Sequence, residues 1–418
     1  MDLQITERVR QVLKPRTSLE SQNTYNLYAD IAWWGVLAGI VNSFLSVFVI
    51  RVGGSDTHVG LLSALPALIG IFASLPGSRL VEREKKPLSV LQISAFFNRL
   101  GYLLIGLVPF FFLVNRADII VVLVALLTIP GAIANVAFTT MFAQAVRPEN
   151  RARVVAIRNV WIGIISTITA FLGGKFLDTV LFPINYQILF AIAFAGSMGS
   201  SYYLSRIRLP DQATPRPAHV DDTPRGARAF IDMLRGSRNY TEFTLASFVF
   251  HWGLFFPVPL YAIYWVRVLQ ASEGWVGVFS MVGSATTIVF YPLWGRLATQ
   301  RGNLYLIVLA AVGLVLYPLA TALSPSVEWI ILVSFIGGVF TSGFSLAFFN
   351  RLLEVTPELH RASYIAAYST LINVTAFVGP LVSTSLLALF DIRALLLVGA
   401  ALRLIGALLF GRQRIRAQ

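Results

Sequence analysis

Twelve long apolar segments divide this sequence, and each is long enough to cross the hydrocarbon core of a membrane. A helix rises about 1.5 Å per residue, so about 20 apolar residues span roughly 30 Å. The segments lie near residues 24–50, 58–81, 88–114, 118–142, 154–177, 184–205, 241–266, 273–297, 303–323, 327–350, 362–389 and 392–411. Only 13% of the 418 residues are charged, which leaves too few polar groups to coat a water-soluble core. The sequence therefore predicts an all-α integral membrane protein with twelve spans.

The distribution of Lys and Arg between the loops predicts the orientation of the spans. Cations cluster in the N-terminal tail and after every second span, whereas the opposite loops hold Arg51, Arg116, Lys175, Arg267 and Arg393. Loops rich in Lys and Arg stay in the cytoplasm. We therefore expect a multi-pass protein of the cell (inner or plasma) membrane with both termini cytoplasmic. Residues 1–22 are polar and basic, and we expect no removable signal peptide there.

A polar interval after the sixth span divides the chain into two halves. It is rich in Pro and Asp, as linkers are, and Phe230, Ile231 and Leu234 would share one face of a short interfacial helix. The predicted parts are a cytoplasmic tail over 1–22, a six-helix bundle over 23–205, this cytoplasmic linker over 206–240, a second six-helix bundle over 241–411 and a cytoplasmic tail over 412–418.

The two halves resemble each other in sequence, in three places and in the same order. The first match aligns Arg51 with Arg267, Gly60 with Gly277 and Ser63 with Ser280. The stretch "GSRLVEREKK" recurs as "WGRLATQRGN" over 294–303, and "RPENRARVVA" over 147–156 recurs as "TPELHRASYIAA" over 356–367. A duplicated six-helix unit in a membrane typically builds a transporter around a site between the halves.

Together with the twelve spans, the charged turn between spans two and three resembles the major facilitator superfamily. The signature of that family is G-x-x-x-D-R-x-G-R-R, which Gly77, Glu82, Arg83, Lys85 and Lys86 approximate, with Glu in place of Asp. The resemblance implies two pseudo-symmetric six-helix bundles. It also implies that this cluster is a cytoplasmic latch that holds the outward-open state; the alternative is a simple stop-transfer cluster. The latch residues are Gly77, Glu82, Arg83 and Lys86, with Gly295 and Arg296 in the second half.

Ionisable residues inside spans are costly and therefore mark candidate functional positions. Asp30, Arg99 and Arg158 are the candidates for ion coupling. If spans one and five are neighbours, as the family fold implies, Asp30 and Arg158 form an ion pair; otherwise Arg158 snorkels to the interface. His251 of span seven is either a proton relay or a neutral histidine bonded to a neighbouring helix. Arg403 lies in a span that the family fold places at the periphery.

The resemblance implies that spans one, four, seven and ten line a substrate cavity. The candidate lining is rich in aromatic rings, with a few hydrogen-bonding groups. Its members are Trp34, Asn42, Asn135, His251, Trp252, Phe255, Tyr261, Thr341, Phe344 and Phe348. Each ring could instead pack against lipid or a neighbouring helix, as most aromatic stripes do.

Several chemistries lack their usual sequence signatures. The chain has no cysteine, no metal-spaced histidines, no nucleophile elbow and no phosphate-binding P-loop, so we expect no enzyme, no metal and no cofactor. The net charge of +13 is explained by the cytoplasmic loops rather than by nucleic acid. The family's span-four arginine and the G-P-x-x-G-G turn of span five are also missing, which weakens drug/proton antiport.

We therefore expect a secondary transporter that moves a small organic solute by alternating access. The aromatic candidates and the low charge inside the spans favour a small, uncharged or weakly charged amphipathic compound. Efflux of such a compound, coupled to a proton or sodium gradient, is one form of this transport, but the residues do not give its direction. A sugar or other polar-nutrient permease is the alternative, and a non-transporting sensor or lipid scramblase is the alternative of another class. The expected partners are the solute, the coupling ion and the lipid bilayer, with a monomeric chain.

Overall fold

The computed structural model describes residues 19–83, 87–209, 237–357 and 361–417, apart from the side chains at 74–79, 81–83, 87, 152, 361–363 and 414–417. Within these ranges every regular element is a helix. Twelve helical segments there are long and apolar enough to cross a membrane, which confirms the predicted class and span count. The interfacial helix expected in the linker falls within 210–236 and lies outside the described residues.

The helices alternate in direction, as twelve consecutive spans require. They are α1 Leu19–Arg51, α2 Asp56–Arg83, α3 Pro87–Phe111, α4 Arg116–Ala145, α5 Pro148–Thr179, α6 Ile184–Ser205, α7 Arg238–Phe255, α8 Val258–Ile263, α9 Glu273–Arg301, α10 Asn303–Ala322, α11 Trp329–Val355, α12 Arg361–Leu386 and α13 Ile392–Ala417. A π-helical turn, Tyr264–Val268, follows α8. We call the end of the bundle where α1 begins and α13 ends the near end, and the opposite end the far end.

The buried apolar residues show how the two halves of the chain meet. At the far end one continuous core contains side chains of both halves, for example Phe44 and Val59 together with Leu260 and Ile392. Towards the near end the described residues form separate cores in the first half and in the second half. The halves are therefore packed together at the far end and have separate cores at the near end.

Two glycines that match in the sequence repeat allow this close packing. A Cβ at Gly277 of α9 would lie 2.6 Å from the Ala170 carbonyl oxygen of α5. A Cβ at Gly60 of α2 would clash with Thr384 of α12. Small residues let the backbones of membrane helices approach closely. The repeat thus places an α2–α12 contact and an α5–α9 contact at equivalent positions between the halves.

The seventh span, predicted as one segment near 241–266, is divided in two. Helix α7 ends at Phe255, and α8 begins at Val258. Pro257 lies between them, and a proline has no N–H to donate to the carbonyl four residues earlier. That carbonyl belongs to Gly253, near the middle of the span. The break therefore leaves a backbone acceptor inside the membrane domain that needs another donor.

Candidate functional site

Two ion pairs join the halves at the far end. Arg51, at the end of α1, donates from Nε to Glu273 of α9 over 2.8 Å and from Nη2 to the other carboxylate oxygen over 3.2 Å. Arg267, after α8, donates from Nη1 to Asp56 of α2 over 2.5 Å. In each pair one residue belongs to the first half and the other to the second. We call these two contacts, Arg51–Glu273 and Arg267–Asp56, the far-end ion pairs.

The far-end ion pairs are related by the internal repeat. Arg51 matches Arg267, and the register that aligns Gly60 with Gly277 also aligns Asp56 with Glu273. Each arginine therefore binds the acid of the opposite half, so that the two bridges cross at the interface. Exposed pairs contribute about 0.2–1 kcal/mol each. Each of the two pairs is therefore a weak contact on its own.

Asp178, at the end of α5, adds a further contact between the halves. Its carboxylate accepts hydrogen bonds from the Gly274 backbone N–H over 3.0 Å and from the Ser272 hydroxyl over 2.9 Å. The first N–H groups of a helix have no partner within the helix, and a carboxylate there is stabilised by the helix dipole. A side chain of the first half thus caps helix α9 of the second half.

A central cavity of about 540 Å³ lies between the halves. Its walls come from α1 and α5 of the first half and from α7, α9, α10, α11 and α13 of the second, with Trp265 of the π-helical turn. The lining contains an unusual number of hydroxyl and amide groups for a membrane interior: Asn42, Ser43, Asn159, Ser166, Ser280, Ser284, Thr287, Ser334 and Thr341. The volume is in the usual range for small-molecule sites.

Three polar side chains of this wall are exposed although they lie within spans. They are Asn42, Asn159 and Thr341. Among the described residues, neither Asn42 nor Asn159 has a hydrogen-bond partner for its side-chain amide. An amide without a partner is costly in an apolar environment, so these two groups are candidate contacts for a polar solute. Asn42 and Thr341 are two of the predicted cavity residues.

A second cavity, of about 420 Å³, lies within the first half. It contains the ion pair expected between Asp30 and Arg158, with Nη1 of Arg158 3.0 Å from Oδ2 of Asp30. The pair is buried, and Arg158 also donates to the Leu27 carbonyl over 2.7 Å. Ser200 donates to the other oxygen of Asp30 over 2.5 Å. Of the two alternatives for Arg158, the structure therefore contains the ion pair; its role in coupling stays a prediction.

Arg99 of α3 joins this cluster through Ser200. Its Nη2 donates to the Ser200 hydroxyl over 2.7 Å, and its Nη1 donates to Ser201. The guanidinium also lies 5.4 Å from the centre of the Trp34 ring. Trp34 and Asn135, two predicted cavity residues, line this second cavity rather than the central one. Arg99 thus has hydroxyl partners and an aromatic face, and reaches Asp30 only indirectly.

Most of the predicted aromatic candidates pack together inside the second half. The His251 ring lies 5.2 Å from Phe348, 5.9 Å from Phe255 and 6.2 Å from Phe344. Its Nδ1 donates to the Ser247 carbonyl over 2.7 Å. Trp252 packs against Phe248, and none of these candidates lines either of the two cavities. The hydrogen bond of His251 therefore lies within α7 and not on a neighbouring helix, contrary to one of the two expected roles, and the role of proton relay stays a prediction.

The latch residues of the first half are described only in part. Gly77, Glu82 and Arg83 fall within helix α2, but their side chains, and all of Lys86, lie outside the described residues. In the second half, Gly295 and an exposed Arg296 lie near the end of α9. Thr299 donates to the Arg296 carbonyl over 2.7 Å, so this copy forms an ordinary turn of helix. The latch stays a prediction.

Sequence reasoning missed three site features. It gave no role to Asp56 or Glu273, because an acid in the first turn of a helix is common whatever its partner. It gave Arg403 little weight, yet Arg403 lines the central cavity. It also missed the hydroxyl-rich wall of α9. The pattern Ser280, Ser284 and Thr287, at helical spacing, was the available signal.

Comparisons with known proteins agree with this architecture. The sequence model of the Major Facilitator Superfamily matches residues 31–263 and 243–416. No curated protein matches significantly. Among solved structures, the nucleoside transporter NupG aligns with a TM-score of 0.69 at 12% identity, over 95% of this chain and 99% of that one.

Two further structures align at similar levels. The peptide transporter POT in complex with sulfate has a TM-score of 0.70 at 13% identity, over 94% of each chain. A bacterial homolog of the human lysosomal transporter Spinster, inward-facing and unoccupied, has a TM-score of 0.66 at 11% identity, over 95% of this chain and 96% of that one. Such identities concern the fold alone. The family match decides the class: the chain belongs to the Major Facilitator Superfamily and is a multi-pass membrane transporter of a small solute.

Proposed function

We propose that the central cavity is the substrate site and that the protein moves a small polar organic solute by alternating access. The observation that carries this is the wall between the halves, where hydroxyl and amide groups outnumber aromatic rings. The free amides of Asn42 and Asn159 offer both donors and acceptors to a solute. The packed aromatic cluster around His251 removes the main reason to favour an amphipathic compound. A polar solute is therefore the preferred class.

The arrangement of the halves supports the alternating-access part of this proposal. The far end is sealed by a shared apolar core and by the far-end ion pairs, while the near end has separate cores. With both termini in the cytoplasm, as the charge bias predicts, this state would correspond to an inward-facing transporter. Transport would then require the far-end ion pairs to break as contacts form at the near end.

The buried cluster in the first half is the proposed coupling site. Asp30 is the acid nearest the middle of any span in the first half, and it faces Arg158 directly and Arg99 through Ser200. A proton or sodium ion that binds Asp30 would compete with the Arg158 guanidinium. Loss of this pair would change the contact between α1 and α5, and both helices line the central cavity.

A solute screen tests the proposed substrate class. Purified protein would be scanned for thermal stabilisation by a broad library of sugars, nucleosides, amino acids and hydrophobic drugs. A ligand at about 100 times its Kd adds roughly 2.7 kcal/mol of stability. We expect polar members to stabilise the protein and Asn42→Ala with Asn159→Ala to weaken that effect. Asn350→Ala makes the same substitution close to the near end of the bundle. This variant is the control, and it should leave the stabilisation by polar solutes intact.

Counterflow in proteoliposomes then separates a transporter from a sensor or scramblase. Vesicles loaded with the stabilising solute should take up its labelled form from outside, because a carrier exchanges solute across the membrane. A sensor on this fold would bind the solute without exchange. Stabilisation only by hydrophobic drugs would reject the polar class, and binding without counterflow would reject transport.

The predicted latch provides a test of its own. Glu82→Gln should weaken the outward-open state by about 0.5–2 kcal/mol, the scale of exposed to partly buried charge contacts. That corresponds to a shift of roughly 2- to 30-fold in the ratio of states. Thr299→Val, at the equivalent position of the second half, should do much less because that copy has no acid. Distances between spin labels on the near ends of the two halves report the shift.

The alternative to a latch is a stop-transfer cluster that only fixes topology. In that case Glu82→Gln and the parent protein would give the same distance distribution, although both fold and insert normally. Equal shifts in the Glu82 and Thr299 variants would also contradict the latch, because they would show no dependence on the acid.

A further inference from the structure

Arg403 of α13 is a buried cation in the wall of the central cavity. Only 4% of its surface is exposed. Its Nε donates to the Gly253 carbonyl over 2.8 Å, its Nη1 to the Leu314 carbonyl over 2.7 Å and its Nη2 to the Tyr261 hydroxyl over 3.1 Å. The Gly253 carbonyl is the acceptor that Pro257 leaves without its helical donor. Arg403 therefore supports the break in the seventh span.

These three acceptors are neutral, so the positive charge of Arg403 has no counter-charge among the described residues. No described carboxylate lies within ion-pair distance of it. The sequence explains why, since none of the acids of the second half lies in the middle of a span. The acids of that half are Glu242, Glu273, Glu328, Glu354, Glu358 and Asp391. In the first half, Asp30 already pairs with Arg158. An unpaired charge at this depth is costly and calls for a partner.

Part of the guanidinium has no acceptor among the described residues. A guanidinium has five N–H groups, and the three acceptors take one each. Arg403 shares the cavity lining with Leu254, Leu314, Tyr317, Ser334 and Gly337, all of them uncharged. The rest of the lining is neutral as well. An anion that enters this cavity would meet one cation, a neutral polar wall and no competing carboxylate.

We propose that Arg403 makes the central cavity selective for solutes that carry a carboxylate or a phosphate. Guanidinium groups bind both through short, charge-assisted hydrogen bonds. This inference rests on the proposed function, because it names the chemical class of solute for the same cavity. Arg403 would then have two roles. Its guanidinium would bind the anion, and it also donates to the Gly253 carbonyl at the break between α7 and α8. Anion binding and the shape of the seventh span are thus linked through one residue.

Matched pairs of solutes test this proposal directly. Purified protein would be titrated with glucose and glucose 6-phosphate, with adenosine and adenosine monophosphate, and with neutral amides and their carboxylates, all at constant ionic strength. We expect at least one anion to stabilise the parent protein and to bind it about tenfold or more tightly than its neutral twin. The phosphate and carboxylate pairs show which anion the site prefers.

Variants then assign the effect to one side chain. Arg403→Gln should remove the preference for the anion, and Arg403→Lys should retain part of it, because lysine keeps the charge and loses the planar fork. Arg393→Gln removes the same charge from an exposed position at the far end and should change nothing. If Arg403→Gln fails to fold, the Arg403→Lys variant and the parent protein still provide the comparison.

Three results would overturn the inference. In the first, no anion in the panel stabilises the parent protein. In the second, each neutral solute binds as tightly as its matched anion. In the third, Arg403→Gln or Arg403→Lys prefers the anion as strongly as the parent protein does. A protein that binds neutral sugars and exchanges them in counterflow would keep the proposed function while rejecting this inference. Failure of all binding and exchange would reject both.

Discussion

Replacing Arg158 with glutamine is expected to lower the free energy of unfolding by about 3–5 kcal/mol, because Asp30 would remain buried without the cation that faces it. The side chains of Asp30 and Arg158 are only 5% and 9% exposed. Arg99 cannot fully replace the lost charge, since it reaches Asp30 only through Ser200. Unfolding of purified protein in mixed micelles, followed by circular dichroism, measures the loss.

The chain offers a matched control for this prediction. Arg147 pairs with Glu20 over 3.1 Å, and its side chain is 76% exposed, so Arg147→Gln should cost less than about 1 kcal/mol. The double variant Asp30→Asn with Arg158→Gln should be more stable than Arg158→Gln alone, because it removes the orphaned carboxylate. Equal losses in Arg158→Gln and Arg147→Gln would show that the buried pair is not a stabilising contact.

Replacing Gly277 with valine is expected to shift the protein out of the state described here. A Cβ at this position lies 2.6 Å from the Ala170 carbonyl oxygen and 3.2 Å from the Gly174 Cα. Both are backbone atoms, which cannot move aside as a side chain could. The closed contact between α5 and α9 would therefore have to open, and exchange of solute should fall by an order of magnitude or more. Counterflow in proteoliposomes measures the loss.

Gly411→Val, in helix α13, supplies the control. The nearest atom to a Cβ at Gly411 is a Val308 methyl at 4.0 Å, so the added methyl groups meet far less backbone. Both substitutions have the same helix propensity and change hydrophobicity equally. Normal exchange in Gly277→Val, or equal loss in both variants, would show that close packing at Gly277 does not hold the far end.

The sequence predicts the membrane class and the span count for a clear physical reason, and it gives Asp30 and Arg158 as a pair on the condition that spans one and five are neighbours. In a chain with so few charged residues, long apolar segments are explained by membrane spans. An acid inside such a span requires a partner. With Asp30 in span one and Arg158 at similar depth in span five, the family arrangement of spans suffices to bring them together. The repeat also predicts that Arg51 and Arg267 occupy equivalent positions.

Other parts of the site depend on which way a side chain faces, which hydropathy does not encode. The stripe of Phe344 and Phe348 looks the same in sequence whether it lines a cavity or packs on His251. The crossing of the far-end ion pairs needs the relative placement of the halves, and Asp56 alone gives no hint of it. Arg403 was underestimated because its partners include backbone carbonyls, one of them freed by Pro257 at a distant position in the sequence.

In alternating access, the two halves would rock about the central cavity, so that one end opens as the other closes. The cysteine-free chain allows spin labels at exposed far-end positions Leu181 and Leu389, and at exposed near-end positions Glu149 and Gln300. Pulsed electron resonance in nanodiscs would compare the parent protein with Gly277→Val. We predict that the far-end distance lengthens in the variant while the near-end distance shortens. Distances that change in the same direction, or a far end that opens with no response at the near end, would contradict alternating access.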